Sequence, residues 1–498
     1  MLPLAVVVSG AVLLALEITA SRVVAPVLGN SIYVWGALIG VFLAALAVGY
    51  AVGGRVADRF PTPGVFAALA VLAGLAIAPI PLFAPALLEA VQRAGLGPRA
   101  GPLAATAALF FPPAVALGMI SPFAVRLGAR TMATLGNVAG SLYALSTLGS
   151  IGGTLLAAFL LLDWMSARTI VVGLGLVMLA LGALLLVPVR RLAAAAAIGL
   201  TALVGAGALL AGSPDAPGLV FARDTVYHRI TVNDEAGVRY LRLDAYWQSG
   251  MDLRDPRRTV FPYADYLHLP LLFQPDARRV LFVGLGGGTA PRRYHEDYPQ
   301  LTVDVVELDP AVIEAATRFF GVPRDGRMRL VAADGRLFVA AGGPPYDIII
   351  LDAFLIDTIP FHLATREFFA DVRSRLAPGG VLASNIIGAL EGPRSGFFRA
   401  VYKTLGTVFP SVYVFPTDWS RYDSAESLRN IIVVATQDPP RPRAAVLRAA
   451  GEARRRTGVT IDRFLEAAGD LYAIPVRTDD VPVLTDDYAP VDRLLLAR

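Results

Sequence analysis

The chain has 498 residues, 55% hydrophobic and 17% charged, and is too long for one domain. It carries no cysteine, which excludes disulfides, thiolate catalysis and Cys-ligated metals. The formal charge of +4 rests on arginine, with Lys403 the single lysine, and no basic run is interleaved with aromatics, so nucleic acid is not expected as a partner.

The averages hide a sharp division. Residues 1–212 hold repeated apolar stretches of about twenty residues, the length that spans a bilayer. Seven spans are expected, at 3–21, 33–53, 64–90, 103–125, 138–162, 168–189 and 192–211. The first has no basic leading region and runs into Glu17 and Arg22 without a small-residue cleavage site, unlike a signal peptide. Glycine and alanine are dense in several stretches, as from Gly140 to Ala158, which predicts closely packed helices. Glu17 puts a carboxylate inside an apolar span and is by default a functional candidate; the structural reading is an ion pair with Arg22 or another arginine that only fixes packing. The run from Gly53 to Arg59, GGRVADR, resembles the short charged loop after the second helix of major-facilitator transporters. Tyr33 and Trp35 suit an interfacial aromatic belt. Arg55, Arg59, Arg126, Arg130, Arg190 and Arg191 fall on one side of the spans, and Arg22, Arg93, Arg99 and Arg168 on the other. The positive-inside rule makes the first side cytoplasmic, and an odd span count then puts the soluble part outside. Chemistry on a nucleoside belongs inside, so the expectation is a multi-pass protein of the cell membrane with a cytoplasmic catalytic domain.

After Ser213 charges become frequent and apolar runs shorten to strand length. Residues 226–232 and 239–243 alternate around Asn233–Gly237 and predict a β-hairpin inside a small β subdomain at 219–262. From 263 to 498 strands expected at 280–284, 302–307, 328–332, 347–351 and 381–386 alternate with helices from 290, at 310–320, after Ala333–Arg336 and at 365–376. The fold class expected is an all-α transmembrane bundle followed by an α/β domain, a Rossmann-like, methyltransferase-type doubly wound parallel sheet. In such a sheet the ligand sits at the carboxyl ends of the strands, where Gly284, Glu307, Asp334 and Asp352 all fall. Gly284, Gly286, Gly287 and Gly288 let the chain turn and approach a ligand closely. Glu307 ends the next strand, placed to accept ribose hydroxyls. A dinucleotide fingerprint wants glycine at the sixth position, where Thr289 stands, so an S-adenosyl-type nucleoside fits better than NAD. Any one aspartate after a strand is more often a helix cap; four successive strand ends are more persuasive together.

These residues resemble the spermidine synthase (polyamine aminopropyltransferase) family, in the bacterial form fused to an amino-terminal membrane domain. The likeness covers about residues 220–498, and the segment SIYVWGALIGVFLA extends it into the membrane half. It rests on Tyr227-His228, Asp244 with Gln248, the glycine loop with Glu307, Asp334-Gly335, the Asp352-Ala353-Phe354…Asp357…Ile359-Pro360 segment and Leu484–Tyr488. The resemblance implies decarboxylated S-adenosylmethionine as donor, with Glu307 on its ribose, Asp334 and Gly335 at its adenine, Gly284, Gly286 and Gly287 beside it and Gln248 on its aliphatic tail. It implies Asp352 and Asp357 as catalytic residues, Asp352 being the base, and Tyr227, His228, Tyr246, Tyr263, Asp357 and Tyr488 around the acceptor amine. It also implies a homodimer and no metal. Two departures stand out: Gly287 falls where soluble members carry an acid that grips the donor's terminal amine, and Ala264 falls where they carry a glutamate for the diamine, with Asp265 one residue out of register. The acceptor is accordingly expected to be putrescine, another polyamine, or a lipid headgroup amine such as phosphatidylethanolamine, with membrane lipids as neighbours. Two alternatives remain: a methyltransferase using S-adenosylmethionine itself, and a polyamine transporter or sensor.

Overall fold

The long apolar runs ahead of residue 211 fold as helices, the open-ended way for a chain to satisfy every backbone N–H and C=O internally. The computed structural model describes all residues except 30, 130, 189–190, 211–217, 245, 355–358, 422–423 and 497–498. It divides into two units, Met1–Ala216 with Asp224–His228, and Pro217–Arg223 with Arg229–Arg498. Of the small β subdomain expected at 219–262, Asp224–His228 falls in the first unit and the rest in the second.

Among the described residues of the first unit, five helices are long and apolar enough to cross a membrane: Leu2–Leu28, Ile32–Arg59, Arg99–Gly128, Met132–Leu161 and Ala167–Leu186. The expected span at 64–90 is two helices, Pro63–Ile77 and Ile80–Arg93, bent by 50° around Pro79, and makes a sixth if it crosses as one. The last expected span is a helix, Arg191–Leu210, whose apolar stretch is shorter than a span over its described part, Arg191–Val204. The count by length and composition is thus five or six against the expected seven. Small residues bring backbones together: a Cβ on Gly149 would lie 2.1 Å from the Val7 carbonyl oxygen, and one on Gly153 2.1 Å from that of Ala11. Arg22 donates to the Tyr227 carbonyl oxygen at 2.5 Å. Glu17, half-buried on the same helix, makes no hydrogen bond or ion pair among the described residues, so the expected pair with Arg22 is not formed.

The second unit opens with β1 (Leu219–Asp224), β2 (Arg229–Glu235), β3 (Val238–Leu243) and β4 (Tyr246–Asp252), which form one sheet in that order. The hairpin turn is two residues, Ala236 and Gly237, at φ 50° and 84°, rather than the five expected. Left-handed turn residues match the twist of the flanking strands, so Asn233–Glu235 stay in β2. The larger sheet contains β5 (Arg279–Val283), β6 (Thr302–Glu307), β7 (Met328–Ala332), β8 (Tyr346–Leu351), β9 (Leu376–Gly388), β10 (Ser411–Pro416) and β11 (Arg429–Thr436), in the order β10-β11-β9-β8-β5-β6-β7. Strands β5 to β9 are parallel, as expected; β11 runs antiparallel to β9, and β10 to β11. The sheet is therefore mixed, because β10 returns into β11 through a loop with no crossover helix. Along β5, Val280 and Phe282 enter one apolar cluster and Leu281 and Val283 the other, so both faces are covered. The strand order reverses between β5 and β8, and the crevice at their carboxyl ends holds the site.

Candidate active site

The glycine loop leaves β5 between two neighbours. Gly284 donates its N–H to the Val306 carbonyl on β6 at 2.8 Å, and Asp352, just past β8, donates to Val283 at 2.9 Å. Gly284 has φ 99°, and a Cβ there would lie 2.3 Å from the Asp352 carbonyl oxygen; only glycine lets the loop pass this close. Glu307 is fixed by two backbone amides: Leu285 N–H to Oε2 and Asp309 N–H to Oε1, both 3.0 Å. The carboxylate is thereby held at the loop. Asp334 caps the helix Gly335–Ala340, its Oδ1 accepting from Leu337 N–H at 2.9 Å, while Oδ2 has no hydrogen-bond partner among the described residues. A Cβ on Gly335 would lie 2.5 Å from Val283 Cγ1.

Gly287 donates to Ser249 Oγ on β4 at 2.8 Å, and a Cβ there would lie 2.6 Å from Ser249 Cβ. Ser249 thus fills the space that an acid at 287 would need. The departure read at this position is built into the packing between the loop and β4.

Asp352 is partly buried. Burial pushes its carboxyl up to about 6, and a hydrogen bond from Asn385 pulls against that rise. Asn385 Nδ2 donates to Asp352 Oδ1 at 2.8 Å, and its own Oδ1 accepts from Asn430 Nδ2 at 3.0 Å. Two amides on β9 and β11 therefore orient one carboxylate oxygen and leave the other for a substrate. Such a carboxylate is mostly ionised near neutrality and close enough to the working pH to carry a proton.

Asn385 and Asn430 also line a cavity of about 540 Å³. Its wall includes Gln248, Tyr263, Phe261, Phe354, Asp418 and Trp247. Burial drives the Tyr263 hydroxyl well above its usual range, and the charge of Asp352 adds to the shift. The Asp418 carboxylate is bound by Arg463.

Of the residues singled out from sequence, Gln248 and Tyr263 line this cavity, while Gly284, Gly286, Gly287, Glu307 and Asp352 stand at or just past the carboxyl ends of β5, β6 and β8. Tyr246 begins β4, half-buried and outside the cavity lining. Tyr488 is 50% exposed, its hydroxyl accepting from Arg493 at 3.1 Å, and it does not line the cavity. Its neighbour Asp486 instead binds Arg336 and Thr365. Tyr227 and His228 lie on the Asp224–His228 segment of the first unit. Asp357 falls outside the described residues. Ala264 is buried, and Asp265 accepts from Thr259 Oγ1 at 2.6 Å, off the cavity. Asn385, Asn430, Ser249 and Asp418 were missed. The first two had a signal, a lone amide in an otherwise apolar strand run, VLASNII and NIIVVA.

Known proteins are similar to this chain over the same region. Residues 261–417 match the family model described as the spermine/spermidine synthase domain. A polyamine aminopropyltransferase of Vibrio vulnificus is 33% identical over 194 residues, 37% of this chain and 65% of that one. A probable polyamine aminopropyl transferase of Bifidobacterium longum is 26% identical over 280 residues, 55% of this chain and 62% of that one. The human eEF1A lysine and N-terminal methyltransferase is 35% identical over 147 residues, 27% of this chain and 20% of that one. The chain spans less than two thirds of the length of each of these relatives. Residues 261–417 are thus similar to the spermine/spermidine synthase domain, in keeping with the resemblance read from the motifs around Asp352.

Proposed function

We propose that the second unit moves a 3-aminopropyl group from decarboxylated S-adenosylmethionine to an amine. The observation that carries this reading is Asp352, raised to about 6 and oriented by Asn385, an amide that itself lines an aromatic cavity. The nucleoside end of the donor is assigned to Glu307, the glycine loop and the open oxygen of Asp334, and its tail to Gln248. An acceptor amine, with a pKa of about 10, arrives as the ammonium. The Asp352 carboxylate attracts it and takes one proton. The freed nitrogen lone pair attacks the donor carbon beside the sulfonium; the C–N bond forms, the C–S bond breaks, and its electron pair leaves with methylthioadenosine. Tyr263 stays protonated and borders the reacting nitrogen. Of the residues expected around the acceptor, this proposal keeps Tyr263, which lines the cavity, while Tyr246 and Tyr488 lie outside its lining and Asp357 lies outside the described residues.

The test is mass spectrometry of the full chain incubated with the decarboxylated donor and putrescine, spermidine or phosphatidylethanolamine. A 3-aminopropyl increment on the amine with release of methylthioadenosine is expected; no increment on any amine defeats the proposal. One observation favours a second reading, methyl transfer from S-adenosylmethionine: with Ser249 packed on Gly287, no loop acid grips the terminal amine of a decarboxylated donor. That reading requires S-adenosylhomocysteine as the product.

We place the protein in the cell membrane with the second unit cytoplasmic. Six crossings ending at Leu186 would return the chain to the side of Arg55, Arg59 and Arg126, so the arginine bias and the nucleoside chemistry would agree. Cysteine scanning at 60 and 95 with an impermeant label tests this; labelling at 60 from outside intact cells contradicts it.

A further inference from the structure

The helical unit holds a groove of about 740 Å³ that the chemistry at Asp352 does not use. Three helices form it. Pro63–Ile77 and Arg191–Leu210 both pack on Ala167–Leu186 and leave a space between them. One wall runs from Thr62 to Val71 and the other from Ala193 to Leu200, with Leu186 supplied by the third helix. Apart from Thr62 every side chain lining it is apolar, and the Thr62 hydroxyl already accepts from Val65 N–H at 3.3 Å. Such a surface takes up methylenes rather than a polar ligand. At a rise of about 1.5 Å per residue, the wall from Thr62 to Val71 is about 14 Å long. That is about half of a hydrocarbon core of about 30 Å, the depth of one leaflet.

The groove has a charged end. Pro63 and Arg191 begin their helices where Leu186 ends the third. Arg59 stands three residues ahead of Thr62, and Arg191 two ahead of Ala193, both exposed. Arg59 lies over the Phe60 ring, and neither guanidinium has a hydrogen bond or ion pair among the described residues. The acid next to them in sequence, Asp58, is held by Arg126 at 3.1 Å. A second copy of this face would set arginines against arginines, whereas a phosphate would neutralise them. A zwitterionic headgroup carries its own cation beside the phosphate, so two arginines favour a headgroup with net negative charge. This end also belongs to the side proposed as cytoplasmic, whose leaflet carries the anionic lipids.

We propose that the groove is a binding site for an anionic phospholipid, with an acyl chain between the two walls and the phosphate at Arg59 and Arg191.

The test is native mass spectrometry of the full chain in detergent, titrated with phosphatidylglycerol or with phosphatidylcholine of identical chains. Phosphatidylglycerol is expected to bind about tenfold more tightly. Arg59→Gln combined with Arg191→Gln should erase that preference, and Arg93→Gln, at the exposed end of the helix Ile80–Arg93, should keep it. Ala68→Trp and Ala196→Trp fill the space from exposed positions on opposite walls, and each should weaken both lipids by about tenfold; the second serves if the first fails to fold. Equal affinity for the two lipids overturns the proposal, as does a preference lost as fully in Arg93→Gln as in the paired variant. A dimer that Ala196→Trp dissociates while phosphatidylglycerol stays bound also overturns it, and gives the groove to a second copy of this chain.

Discussion

Glu17 and Asp352 are both carboxylates set in apolar sequence, one in the helical unit and one at the tip of the sheet. Their surroundings differ in kind. Glu17 has no hydrogen-bond or ion-pair partner among the described residues, and the groove of about 740 Å³ in its unit is lined by such residues as Pro63, Val65, Leu186 and Leu200, not by Glu17. Asp352 has an anchored backbone N–H and one oxygen held through Asn385 to Asn430, two amides that line a cavity. A carboxylate in apolar surroundings is a common sequence signal. It becomes a working base only when neighbours orient it toward a space a substrate can enter.

Replacing Asp352 should separate the two most sharply. Asp352→Asn keeps the shape and the contact to β9 but removes the proton acceptor, and kcat should fall by about 10²–10⁴-fold with little change in donor affinity. In the unaltered protein kcat should also fall as pH drops through about 6, because the carboxylate is the active form and protonation removes it. A flat profile from pH 5 to 8 would falsify Asp352 as the base.

A third carboxylate, added where nothing is prepared, extends the comparison. Gly287→Asp restores the acid expected from the family, yet its Cβ would fall 2.6 Å from Ser249 Cβ. Overpacking of this kind costs about 1–3 kcal/mol, so thermal denaturation should show a less stable second unit and no tighter donor binding. Tighter donor binding at unchanged stability contradicts the packing argument.

Asn385→Ala should have a smaller effect. It removes the hydrogen bond that favours the ionised form, so the Asp352 pKa rises and the acid limb of the profile moves to higher pH. Turnover at pH 7 should drop by about tenfold and recover in part at pH 8. An unmoved limb means that Asn385 only packs.

Much of this comparison was legible in the sequence. The strands β6 and β7 lie where the apolar runs predict, and Glu307, Asp334 and Asp352 stand at strand ends because parallel βα units put them there. The antiparallel β10 and β11 were not read, since nothing local in an apolar run fixes the direction in which it pairs. Ser249 and Asn385 were missed for a related reason: their roles depend on register between strands distant in sequence, Ser249 against Gly287 and Asn385 beside Asp352. The third expected span broke at Pro79, where hydropathy stays high although the backbone bends.

The smallest effect belongs to Glu17→Gln. The substitution conserves volume and removes only the charge. If the catalytic apparatus is complete in the second unit, aminopropyl transfer to a soluble diamine should change by less than about twofold, because a position with no partner in the packed unit has nothing to uncouple. The same variant in proteoliposomes measures labelled polyamine uptake. Loss of uptake with transfer intact would give the helical unit a transport function of its own and make Glu17 the centre of a second site. Loss of transfer would mean instead that the two carboxylates are coupled, and that the Asp352 site cannot be understood from its own unit alone.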